Sequence, residues 1–157
     1  MNIKKIDPRD RRKIDNFIVS HWYTMQMVVN GESIDLGSAE GFYSSNGEEI
    51  TGLITYRLID GGIEILSLDS IYENRGIGTS LLNEVIALAR EIGAAKIKLI
   101  TTNDNLSALR FYQKRGFDMT RLHRNALDRA RKIKPEIPLT GMDGIPLRHE
   151  IELELVL

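Results

Sequence analysis

The chain has 157 residues, with 21 Lys and Arg against 22 Asp and Glu, for a formal net charge of -1. That balance supplies no broad positive field, so neither nucleic acid nor a membrane surface is an expected partner. The absence of cysteine excludes disulfides, thiolate metal sites and a cysteine nucleophile. Hydrophobic residues at 42% and charged residues at 27% fit one globular domain, expected to span residues 1–157.

The start, Met1 to Asp7, lacks the apolar run of a secretory leader, and no run of about 18 apolar residues follows, so a cytoplasmic protein is expected. Ile3 and Ile6 suggest a short first strand. Asp7-Pro8 then offers a cap and a proline for the first turn of a helix to Trp22, whose stripe is Ile14, Phe17, Ile18 and Trp22. From Tyr23 to Ala39 the polarity is mixed, with turn signals at Asn30-Gly31 and Leu36-Gly37, so a loop with at most one short extended piece is expected. Strands near Gly41–Ser45 and Glu49–Leu58 flank Asn46-Gly47, a strong hairpin signal. Asp60-Gly61-Gly62 turns the chain into a third strand, Ile63–Ser70, apolar at both parities in its first half.

After Gly76-Ile77-Gly78, residues Leu81, Leu82, Val85, Leu88, Ala89 and Ile92 form a helical stripe that stops at Gly93. Lys96–Thr101 reads as a strand. Strand, glycine turn, helix and strand make a parallel crossover, and ligands in such sheets bind at the carboxyl ends of the strands. Asn103 or Asn105 caps a further helix to Arg115, Phe117–Leu122 resumes as strand, and Asn125–Ile133 is a basic helical piece. Prolines and glycines from Pro135 to Pro146 mark a long connection. The last strand alternates Ile151, Leu153, Leu155 and Leu157 with Glu150, Glu152 and Glu154, so its leucine face is expected inside. That strand also offers an edge with which a second copy could pair as a homodimer. His21, His123 and His149 lack ligand spacing, and no metal is expected.

The turn Gly76-Ile77-Gly78 carries the first chemical signal, because small residues ahead of a helix leave free N–H groups that favour a phosphate. No Lys follows the second glycine, which excludes the P-loop pattern. Leu81 stands where the dinucleotide fingerprint needs its third glycine. The second signal is Asn105-x-x-Ala108-x-x-Phe111-Tyr112-x-x-x-Gly116-Phe117. Ala108 and Tyr112 stand four apart and share a helix face.

With these two segments the chain resembles the GNAT superfamily of acetyl-CoA-dependent N-acetyltransferases. The family's phosphate loop, Gln/Arg-x-x-Gly-x-Gly/Ala, is matched by Glu73 to Gly78 except at Glu73, and the second segment matches at every fixed position. The resemblance implies an α/β fold with a strongly twisted mixed sheet flanked by helices. Two parallel strands splay there, at the cofactor site. It implies acetyl-CoA as cofactor, held by Leu68, Ser70, Asn74, Arg75, Gly76, Ile77, Gly78 and Thr79, with Asn105, Ala108 and Tyr112 along its arm. The Leu68 N–H would face the acetyl carbonyl and Tyr112 would protonate the departing thiolate.

A base must still take a proton from the acceptor, a small-molecule or peptide amine. Glu64, a carboxylate on an apolar strand, is the candidate. Asp69, of opposite parity, is the alternative for acceptor binding, and Trp22 and Tyr56 are candidate walls of the acceptor pocket, although Trp22 also continues its helix stripe. The rival reading is a noncatalytic acyl-CoA-binding regulatory module.

Overall fold

The computed structural model describes residues 1–157. In chain order the elements are β1 (Asn2–Lys5), α1 (Arg11–Trp22), β2 (Gln26–Val29), β3 (Glu32–Asp35), β4 (Glu40–Ser45), β5 (Ile50–Ile59) and β6 (Gly62–Ser70). Then come α2 (Ile77–Glu91), β7 (Lys96–Thr102), α3 (Leu106–Lys114), β8 (Asp118–His123), α4 (Ala126–Ile133) and β9 (Glu150–Val156). Seven strands run in the hydrogen-bonded order β1-β4-β5-β6-β7-β9-β8, a mixed sheet with one parallel pair, flanked by four helices. No helix is long and apolar enough to cross a membrane.

The chain divides into two compact units. The first holds Met1–Gln26, Asp35–Ile97 and Leu157, and the second holds Met27–Ile34 and Lys98–Val156. In the first, β1, β4, β5 and β6 form an antiparallel run, since the turns at residues 46–49 and 60–61 are too short for a crossover. Asp7 begins the α1 region as the sequence suggests. Its carboxylate accepts from the Arg9 N–H at 2.9 Å while Asp10 accepts from the Asp7 N–H at 3.1 Å. Proline heads a single 3-10 turn, and the regular helix starts only at Arg11.

Helix α2 packs across β4, β5 and β6. Its approach is set by Gly52, where an added Cβ would lie 2.5 Å from Ile77 Cγ2. The missing side chain lets the start of the helix sit close on the strand. Buried Leu81, Leu82, Val85 and Ala89 continue the contact as their spacing predicts, Ile77 joins them, and Ile92 at the end of the expected stripe is exposed.

The segment 23–39, expected to be a loop, contains the two-stranded sheet β2-β3. Asn30 (φ 48°) and Gly31 (φ 75°) make its turn in the left-handed region. The Asn-Gly signal was present, and four-residue strands without clean alternation hid the hairpin. In the second unit, Ala126, Leu127 and Ala130 of α4 pack with Leu147 and with Val28 of β2.

Strand β9, expected to offer an edge with a solvated glutamate face, lies between β7 and β8 and is covered on that face too. Glu150 and Glu152 are buried, at 3% and 9% exposure, alongside Leu153. Glu150 accepts from the Asn30 N–H at 3.0 Å, so it holds the tip of the β2-β3 hairpin. Glu152 pairs with His123 at 3.2 Å and Lys98 at 3.7 Å. Both faces of this strand are covered, since Leu153 is fully buried as expected and the glutamates of the other face are buried with polar partners. In the basic helix α4, Arg131 is engaged by backbone carbonyls. Its guanidinium donates to the carbonyls of Ile137, Pro138 and Leu147 and stitches down the long connection.

Candidate active site

Two consecutive features open α2. Asn74 (φ 57°) and Gly76 (φ 75°) both take the left-handed conformation, and no side chain caps the helix at Gly76. Space above Gly76 is open, with nothing within 4 Å of where a Cβ would stand. Residues Tyr72 to Gly76 are exposed, Glu73 among them, while Ile77 is buried and fixes the turn from below. Gly78 and Thr79 complete the first helical turn. Arg75 stacks its guanidinium over the Tyr72 ring at 5.4 Å, and the Ser70 hydroxyl donates to the Tyr72 carbonyl at 2.8 Å, which ties the loop to the end of β6. An uncapped helix start with an open approach and a glycine at the position of tightest backbone turn fits a diphosphate.

Strand β6 carries a bulge that the sequence did not reveal. Thr55 pairs with Ser67 and Tyr56 with Ile65, so Leu66 is an extra residue. It inverts the alternation. Glu64, Ser67 and Asp69 oppose Arg57, Thr55 and Leu53, alternate residues of β5, and so lie on one face despite their opposite parity. Leu68 and Ser70 oppose Ile54 and Gly52 on the other face, that of α2.

The candidates for the acceptor side separate accordingly. Glu64 is neither free nor at an exposed strand end. It is 3% exposed and its Oε1 accepts from Arg57 Nε at 2.7 Å. Its carboxylate is thus committed to a guanidinium. Trp22 and Asp69 are brought together, the indole N–H donating to Asp69 Oδ2 at 2.8 Å. Burial pushes the Asp69 carboxyl above its ordinary value, while the Trp22 hydrogen bond and the neighbouring His21 pull it back. Tyr56 belongs to the opposite face and is 1% exposed, so it does not join Trp22 in one wall. Burial, then the neighbouring Glu40 carboxylate, push its phenol up to about 12.

Helix α3 in the second unit carries the other motif. Asn105 caps it, Oδ1 accepting from the Ala108 N–H at 3.1 Å, so this side chain has a structural role at the position expected to meet the cofactor arm. Ala108 is half-buried and Tyr112 is 5% exposed, one turn further along the same face. Tyr112 stands edge-on to Phe111, with centroids 5.1 Å apart, and to Phe117, at 5.2 Å. Arg115 covers Phe111 at 3.7 Å, which assigns that ring to packing.

Mixed sheet, uncapped helix after β6 and a tyrosine-bearing helix after β7 define an acetyltransferase fold. The family model described as Acetyltransferase (GNAT) family matches residues 9–117, and the chain belongs to that family. An uncharacterized protein of Bacillus subtilis (strain 168), YxbD, is 46% identical over 141 residues, 89% of each chain. Among solved structures, a Bacillus subtilis acetyltransferase in complex with CoA superposes with a TM-score of 0.70 at 19% identity, covering 99% of this chain and 98% of that one. A GNAT family acetyltransferase from Elizabethkingia anophelis with acetyl-CoA bound gives 0.67 at 24% identity, covering 99% of both.

Proposed function

We propose that residues 1–157 act as one N-acetyltransferase domain that moves the acetyl group of acetyl-CoA directly to an amine, in the cytoplasm. The cofactor is acetyl-CoA, which supplies an acyl carbon activated as a thioester. The amides of Gly76, Ile77, Gly78 and Thr79 receive its diphosphate, with Asn74 and Arg75 at the rim. Leu68 offers its N–H to the carbonyl oxygen as charge builds there. Ala108 leaves room along α3, Ser70 ties the loop before α2 to the end of β6, Asn105 caps α3, and Tyr112 gives its phenolic proton to the leaving sulfur. The acceptor is an amine on a small molecule or a peptide.

One observation carries this reading: the start of α2 is uncapped, exposed and turned by two left-handed residues, while Ile77 seats it against Gly52. The experiment is release of free thiol from acetyl-CoA in the presence of a panel of amines, with the acetylated product identified by mass. Thiol release that depends on the amine supports transfer. Binding of acetyl-CoA without turnover across the panel would identify a regulatory acyl-CoA-binding module instead.

A further inference from the structure

We infer that Asp69 receives the acceptor's ammonium group and takes one of its protons, with Trp22 fixing the carboxylate; this rests on the acetyl-transfer reading above. Three observations converge on the residue. Its Oδ2 is held by the Trp22 indole at 2.8 Å, and no hydrogen bond occupies Oδ1. It follows Leu68, whose N–H is assigned to the acetyl carbonyl, and the bulge at Leu66 turns it to the face of α1. Finally, a cleft begins two residues beyond Asp69 and one residue before Trp22. An open cleft of about 330 Å³ is lined by Phe17, Ser20 and His21 of α1, by Glu48 and Glu49, and by Ile71, which follows Asp69 on the same face.

The cleft suits a cationic amine. Its two glutamates are exposed at the rim, and Lys13, the lysine beside them, is held by Asp10 at 3.5 Å and lies over the Tyr43 ring at 4.8 Å. Glu64 cannot serve the same role while Arg57 holds it. The groups that bear on Asp69 electrostatically are His21 from α1 and, further along the same face, the Glu64–Arg57 pair of β6 and β5. Burial is the largest influence on its carboxyl and brings it nearer to working pH, which favours proton transfer.

The step balances as follows. One proton passes from the ammonium to Asp69 Oδ1. The freed nitrogen pair forms the C–N bond as the C–S bond breaks, and Tyr112 protonates the sulfur. The second nitrogen proton restores the phenol, and Asp69 returns its proton to solvent, so one proton is released per acetyl transferred.

The test compares wild type, Asp69→Asn and Trp22→Phe with acetyl-CoA and three probes: n-butylamine, spermidine and a peptide with a free N-terminus. Asp69→Asn is expected to lower kcat/KM for the amine by about 10²-fold or more and to abolish the acid limb of the pH profile, leaving acetyl-CoA affinity unchanged. Trp22→Phe, which removes a hydrogen bond that favours the charged carboxylate, is expected to move that limb to higher pH. Wild-type rates and an unmoved acid limb in Asp69→Asn overturn the inference while transfer stands. Absence of amine-dependent turnover in wild type overturns the transfer reading, and this one with it.

Discussion

The indole N–H of Trp22 and the carboxylate of Asp69 meet at 2.8 Å across 47 residues of sequence, and that bond joins the end of α1 to the far half of β6. Burial places the Asp69 carboxyl above its ordinary value. An acid with a higher folded than unfolded pKa adds stability below the unfolded value and loses it as pH rises through the folded one. At neutral pH the ionised group is therefore unfavourable for folding. Asp69→Asn, whose amide oxygen still accepts from Trp22, is expected to raise Tm at neutral pH and to give no gain below about pH 4. Thermal unfolding across that range checks both the sign and the window.

Tyr112→Phe keeps the packing against Phe111 and Phe117 and removes only the hydroxyl. With Tyr112 as proton donor, kcat is expected to fall by about 10²-fold and acetyl-CoA affinity to stay within about twofold. Steady-state kinetics and calorimetry read the two separately. An equal loss of both would make the phenol a binding group.

Gly52 admits α2 to the sheet, and its substitution tests whether that seat positions the turn proposed to hold the diphosphate. Gly52→Ala would place a methyl 2.5 Å from Ile77 Cγ2 and 3.0 Å from Leu81 Cδ1. A cost of about 1–3 kcal/mol is expected, together with weaker acetyl-CoA binding. In a double-mutant cycle with Ile77→Ala, the two changes should couple favourably, because the second removes the atom the first meets.

The buried Glu64 and its partner Arg57 should respond unequally. Arg57→Ala leaves a carboxylate at 3% exposure without this guanidinium and is expected to cost about 1–3 kcal/mol. Glu64→Gln keeps an acceptor for Arg57 and should cost less and retain most turnover. Denaturant unfolding gives the first comparison. Loss of turnover in Glu64→Gln at unchanged stability would return the base to Glu64.

Periodicity and turn chemistry made much of the fold legible. The stripes of α1 and α2, the hairpin at residues 46–49, the crossover around Gly76 and the helices that carry both motif segments follow from local residue choice. The site's acceptor side did not, because it depends on long-range pairing. Nothing near Leu66 signals a bulge, nothing near Glu64 names Arg57, and the distance from Trp22 to Asp69 along the chain hides their bond. Glu150 and Glu152 look like an outer face until Asn30, His123 and Lys98 arrive from elsewhere.

The supernumerary Leu66 gives β6 the behaviour of a gear with one added tooth. Excising that single residue would restore plain alternation and leave each neighbour opposite its present β5 partner, with the carboxylate at 69 still across from Leu53. The strand can therefore lose the extra tooth and keep its two sides, whereas loss of a paired residue such as Ser67 with Leu66 kept in its place would trade one residue for another at the same register.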